Sequence, residues 1–319
     1  MGVGHDHTPS AAEVGQAPDF RKKLWIAFSL TAFIVVVQAV GSVMTGSLAL
    51  LTDTVHALTD AAGLLVALIA ATLSLKPPTA KRTWGFRRIE VIAALGQATL
   101  LLIVGIYAAI EGIRRLAHPP EVPATELLIF GVLGLTANVI SLVVLASSRG
   151  ANFNMRAAFL EVLNDALGSL GVIAAAVVIA TTGFQQADAI ASLLIVALIV
   201  PRAYMLMRET LSVLMEFTPK GLDLDEVRRH LMEVGHVLDV HDLHASTVAT
   251  GLPVLSAHIV VRDECFTTGH IAEQLRAVQQ CVSEHFDVAI HHSTFQIETA
   301  EIAAEEPAVL KHWPWELTQ

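Results

Sequence analysis

Cysteine is nearly missing from this chain: Cys265 and Cys281 are the only two among 319 residues. Both fall in a segment read below as cytoplasmic, a reducing compartment, so no structural disulfide is expected. Basic charge is short as well, with 20 Lys and Arg against 30 Asp and Glu. The imbalance is sharpest over residues 211–319, at 6 against 17, which excludes nucleic acid and anionic lipid as partners of that segment. No His-Glu-x-x-His occurs, so the sequence does not support an intramembrane metalloenzyme, and no enzymatic activity is expected. No separate cleavable signal is expected either, because residues 1–20 are polar and the first apolar run is followed by more of them.

Apolar residues are plentiful, at 54% of the chain, with a mean hydropathy of +0.59. Nearly all of that apolarity lies between residues 24 and 208, in six runs at 24–45, 47–74, 89–113, 125–147, 157–182 and 186–208. A helix needs about 20 apolar residues to cross a bilayer, so six spans are expected. With the N-terminus inside, twelve Lys and Arg near the span ends face the cytoplasm, and only Arg114 and Arg115 face the other way. The positive-inside rule therefore predicts that both termini are cytoplasmic, and the expected location is the plasma (inner) membrane, as a multi-pass protein.

Beyond the last span, at Thr218-Pro219-Lys220-Gly221, the composition becomes that of a soluble domain. Leu224, Val227, Leu231 and Val234 recur at helical spacing. Strand-like runs follow at 238–248 and 253–262, joined by the turn Thr250-Gly251-Leu252-Pro253. A second helix carries Ile271, Leu275, Val278, Val282 and Phe286 on one face, and a last strand covers 289–299. This αββαβ order is that of a ferredoxin-like domain, small enough to gain from pairing with a second copy. The expected organisation is a flexible segment at 1–20, a six-helix transmembrane domain at 21–210, a cytoplasmic α+β ferredoxin-like dimerisation domain at 211–300, and a tail at 301–319.

The chemistry is concentrated in a pattern that occurs twice. His56-Ala57-Leu58-Thr59-Asp60-Ala61-Ala62-Gly63 in the second span matches Glu161-Val162-Leu163-Asn164-Asp165-Ala166-Leu167-Gly168 in the fifth. Each copy places two potential metal ligands at i and i+4, on one face of a helix and one turn apart. Ionisable groups at membrane depth cost about 2.5–3.5 kcal/mol each, and neither span holds a Lys or Arg deep enough to pair with them. A divalent cation shared between the two helices offsets that cost. Spans two and five cross in opposite senses, so their motifs converge near the midplane as in secondary transporters. The repeated Gly63 and Gly168, with Ala61 and Ala166, give smooth faces where helices approach.

His56, Asp60, Glu161 and Asp165 form a one-imidazole, three-carboxylate set that fits tetrahedral zinc. Such ligands bind only when deprotonated, which is the chemistry of metal/proton exchange. Asp53, on the same face three residues before His56, reads either as a stepping-stone on the ion path or as a solvated span-end carboxylate. Asn138, mid-span in the fourth helix, reads as a bond between helices. A membrane metal sensor that does not transport is the competing reading.

The stretch from Ser47-Leu48-Ala49-Leu50-Leu51-Thr52-Asp53 through Asp60 resembles the cation diffusion facilitator family of zinc-type divalent metal transporters. So do Lys76-Pro77-Pro78-Thr79, Trp84-Gly85-Phe86-Arg87-Arg88-Ile89-Glu90, Asn154-Met155-Arg156-Ala157-Ala158 and Val240-His241-Asp242-Leu243-His244. The resemblance covers about residues 20–300. It implies six helices, a cytoplasmic ferredoxin-like domain, a homodimer and proton-coupled zinc efflux. It also implies a cytoplasmic metal site at His241, His258, His270 and Glu298, and a dimer interlock between Arg88 and Glu216.

Three positions depart from the family pattern. Glu161 and Gln296 stand where other members have His, and Arg87 replaces a loop His and cannot ligate. The harder membrane set keeps manganese, iron, cobalt and cadmium beside zinc as expected substrates.

Overall fold

The structure, a computed structural model, describes residues 18–73, 78–146 and 153–305, so the polar lead and most of the tail lie outside it. Contacts divide the chain into two compact units, Met1–Thr210 and Leu211–Gln319.

The first unit is helical: α1 (Pro18–Thr45), α2 (Leu48–Leu73), α3 (Ile89–Ala117), α4 (Ala124–Ala146), α5 (Phe153–Thr182) and α6 (Gln186–Leu214), the last running past the divide. Among the described residues, four stretches are long and apolar enough to cross a membrane: Ile89–Ala117, Ala124–Val143, Val162–Thr182 and Gln186–Leu214. α1 adds an apolar stretch at Thr31–Thr45.

The break between α1 and α2 is built from local chemistry. Gly46 takes a left-handed φ of 65°, and Ser47 Oγ then accepts from the Leu50 amide as an N-cap. The remaining amides at the start of α2 find their acceptor far away in sequence. Asp188 of α6 accepts from the Leu48 amide (2.8 Å) and from Ser47 Oγ (2.5 Å), placing a carboxylate on the positive end of α2. At the same end, Arg115 of α3 donates to the Gly46 carbonyl at 2.7 Å.

Two contacts fix the register of α2 against α5. Ser169 Oγ lies 3.2 Å from Asp53 Oδ2, and His56 Nε2 lies 3.4 Å from Asp165 Oδ1. As the number rises on one helix it falls on the other, so the helices are antiparallel. The same register brings positions 60 and 161 level with each other. α3 and α6 approach through Gly105 and Gly112, where an added Cβ would run into Val200 and Leu193.

The second unit runs α7 (Leu224–Met232), β1 (Val237–Ala249), β2 (Leu252–Val261), α8 (Glu264–Thr267), α9 (Ile271–Glu284), β3 (His292–Glu298) and α10 (Ala300–Glu305). Asp223 caps α7 by accepting from the Asp225 and Glu226 amides, and the helix buries Val227 and Leu231, one turn apart. Val234 and Phe286, expected on the apolar stripes of the two helices, fall just past their ends yet still pack on the core. The sheet order is β1-β2-β3, with β1 antiparallel and β3 parallel to the central strand.

Alternation sorts the two faces of this sheet. Leu255, Ala257, Ile259 and Val261 of β2 join Val227, Leu231, Val278 and Val282 in the core beneath the helices. His258 of the same strand lies on the other face.

Candidate metal sites

The structure brings together one His and one Asp of the repeated motif. His56 and Asp165 are both buried, 7% and 5% exposed, and face each other across the α2–α5 contact. Helical periodicity places each on the inner stripe of its helix, and the antiparallel register makes the two stripes meet. A neutral imidazole and a carboxylate at this separation are two donors able to share one cation. The Asp60 and Glu161 side chains lie outside the described residues; their backbone positions are one turn along from the pair, at one level.

Asp53 is not solvated. It is 3% exposed, and its Oδ2 accepts from Gln38 Nε2 of α1 at 2.6 Å and from Ser169 Oγ. The span-end reading fails because α1 and α5 both close over this turn of α2. Asn138 Nδ2 of α4 donates to Ser169 Oγ at 3.3 Å, the interhelical bond expected of it. Gly168 does more than smooth a helix face: an added Cβ there would fall on the Asp53 carboxylate.

The second cluster lies on the sheet face opposite the helices. His241 and His258 are directly paired across β1 and β2. Glu298 lies on β3 two residues beyond Gln296, the parallel partner of His258, so all three side chains share a face. His241 Nε2 is 3.1 Å and His258 Nδ1 3.9 Å from the Glu298 carboxylate, which is 1% exposed. The three offer ligand atoms within 4.8 Å of one another.

Gln296 donates to Glu298 Oε2 at 3.0 Å and thereby orients the carboxylate. A bulge between His241 and His244 gives Asp242 a φ of 47° and points its Oδ2 to within 3.7 Å of His258 Nε2. His270 opens α9, is exposed, hydrogen-bonds Thr268 and lies outside the three-residue group.

Both cysteines are free and buried. Burial pushes the Cys281 thiol pKa up and Glu233 adds to the effect. Arg87 is exposed in the loop before α3. Arg88 precedes the first turn of that helix, and Glu216 takes a left-handed φ of 59°.

Spacing alone did not reveal Asp188, Ser47, Gln38 or Ser169. The partners of Asp188 are about 140 residues away in sequence. The one available signal was an acidic residue in the first turn of an apolar span, where it costs free energy unless something accepts it.

Comparison with known sequences finds relatives that span both units. Residues 24–215 match the cation efflux transmembrane domain family, and residues 219–300 match the cytoplasmic domain of cation efflux proteins. The metal cation efflux system protein CzcD of Cupriavidus metallidurans is 38% identical over 301 residues, 94% of this chain and 91% of that one. The zinc transporter ZitB of Escherichia coli is 36% identical, covering 93% of each chain. The cadmium, cobalt and zinc/H(+)-K(+) antiporter of Bacillus subtilis is 33% identical, covering 93% of this chain and 92% of its own length. An antiparallel helix pair presenting His56 and Asp165, followed by a small sheet carrying a second His-carboxylate group, thus occurs in a chain that belongs to the cation efflux, or cation diffusion facilitator, family.

Proposed function

We propose that the protein exports divalent metal cations, zinc first among them, from the cytoplasm in exchange for protons. The observation that carries this reading is the buried His56–Asp165 pair between antiparallel copies of one motif. Asp60 and Glu161, level with each other one turn away, complete the set with three carboxylates. Each donor holds a metal ion only without its proton, so an ion arriving from the cytoplasm displaces protons and protons arriving from outside displace the ion. Rocking of the helices about the site exposes it to one side at a time.

The rest of the reading follows the chain. Six spans occupy residues 21–210 with both termini cytoplasmic, and residues 211–300 form a ferredoxin-like domain that pairs with a second copy. CzcD and ZitB are named for metal efflux and zinc transport. Within the same mechanism, manganese, iron, cobalt or cadmium is the second reading, and the excess of carboxylate over imidazole speaks for manganese in particular.

The deciding experiment is metal flux into proteoliposomes with and without a pH gradient. Zinc uptake that accelerates when the interior is acid supports exchange. Uptake indifferent to the gradient removes the proton, and no uptake of any divalent ion leaves only a sensor. The Arg88–Glu216 interlock belongs to the dimer reading. Arg88→Ala and Glu216→Ala each lower flux, and the double variant is no worse than either; additive losses would show that the two act independently.

A further inference from the structure

Asp53 sits in a small polar site of its own. Four helices contribute to it: Gln38 from α1, Asp53 from α2, Asn138 from α4 and Ser169 from α5. All four side chains are buried. Two glycines make room for it, since a Cβ on Gly168 would fall on the Asp53 carboxylate and one on Gly134 would come within 2.8 Å of Gln38 Nε2. Gln38 donates through Nε2, while its Oε1 is buried with no hydrogen-bond partner among the described residues. A buried amide oxygen left unmatched costs about 1–3 kcal/mol and calls for an explanation.

Position along the helices supplies one. Asp53 precedes His56 by three residues, and Ser169 follows Asp165 by four. On antiparallel helices both steps lead one turn in the same direction, toward the end where α2 starts and α5 finishes. In the proposed topology that end faces outward.

We propose that Asp53, Gln38 and Ser169 form a second cation position, a waypoint that receives the metal ion as it leaves His56–Asp165 toward the outside. The donors are a carboxylate, an amide carbonyl and a hydroxyl, all hard oxygens, with no imidazole to hold zinc strongly. A weak site of this kind suits an exit path, because conduction needs binding favourable enough to enter and weak enough to leave. The Gln38 amide switches the site. In the structure it gives Nε2 to the carboxylate; half a turn about its last side-chain bond presents Oε1 to an arriving ion. This inference rests on the transport reading and on the outward assignment of that end.

The test uses the full-length protein in proteoliposomes with zinc as the only metal. Asp53→Asn keeps the shape and removes the charge. It should lower maximal flux by roughly tenfold while changing the half-saturating zinc concentration less than about threefold, the signature of a step after binding. Asp53→Glu should restore part of the loss. Gly168→Ala should reproduce the loss without touching a charge, because its Cβ displaces the carboxylate.

Zinc binding by the detergent-solubilised Asp53→Asn protein should be retained. Unchanged flux in Asp53→Asn overturns the waypoint, as does a loss of zinc binding in parallel with flux, which makes Asp53 part of the first site or of the fold. Asp165→Ala, run alongside, keeps the two claims apart: normal flux in that variant sinks the central-site reading whatever Asp53→Asn does.

Discussion

His56–Asp165 and His241–His258–Glu298 use the same donors, imidazole and carboxylate, on opposite kinds of scaffold. In the helical unit the pair spans two helices, α2 and α5, that are linked at this level through Asp53–Ser169 and His56–Asp165. Helices in a membrane are held together by packing and a few side-chain bonds, so their separation can change at modest cost. In the second unit the donors lie on three strands locked by backbone ladders, His241 opposite His258 and β3 bonded along β2. Spacing between those donors cannot change without breaking the sheet. The first scaffold suits a site that must release its ion and the second a site that keeps one.

The largest effect that separates the two is expected from Asp165→Ala. On the proposed reading this substitution removes half of the described pair, so zinc flux should fall by at least about a hundredfold, while the protein stays folded because an intramembrane charge has also been removed. Flux by radiotracer and elution by size exclusion check both halves. Near-normal flux would break the comparison at its root, since the helical site would then not be the one that moves ions.

This pair was legible in the sequence because its signal is local: two candidate ligands at i and i+4, written twice. The opposite sense of the two copies followed from counting spans. What the pair is fastened to was not legible. Gln38 and Asp53 meet only because α1 crosses α2 at that turn, and Asp188 caps a helix that begins some 140 residues earlier. Neither contact has a spacing to read. In the sheet the strands were legible, but the register that pairs His258 with Gln296 was not, and the bulge that turns Asp242 toward His258 is a backbone event with no marker in residue type. Gln296, read as a lost ligand, proves to be a donor that orients Glu298.

A smaller effect is expected from the sheet. In an Asp165→Ala background, where the membrane site is silenced, the remaining zinc binding should belong to His241, His258 and Glu298. Adding Glu298→Gln should weaken that binding by about 10–100-fold, and Gln296→Ala by about tenfold through loss of the bond that orients the carboxylate. Titration of the full-length protein with zinc reads both. In the wild-type background, Glu298→Gln should leave flux measurable, because a retained ion is not the one transported. Flux abolished by Glu298→Gln would erase the distinction between a releasing and a retaining site.

The smallest effect sharpens the comparison from the side of ligand chemistry. The helical set has one imidazole and the sheet group has two, and Glu161 is the position that makes the difference. Imidazole is a softer donor than carboxylate and favours zinc over manganese. Glu161→His should therefore give the membrane site two imidazoles and two carboxylates and shift its preference toward zinc by a few-fold, read as relative flux in zinc–manganese competition. Total zinc flux should change little, since four ligands remain. A carboxylic acid and an imidazolium each give up one proton to bind, so the number of protons exchanged per ion should not change. A shift in metal ranking places Glu161 among the ligands, level with Asp60 as the backbone register has it. An unchanged ranking would put Glu161 at the cytoplasmic edge beside Arg156, and the helical site would then be completed by a group other than Glu161.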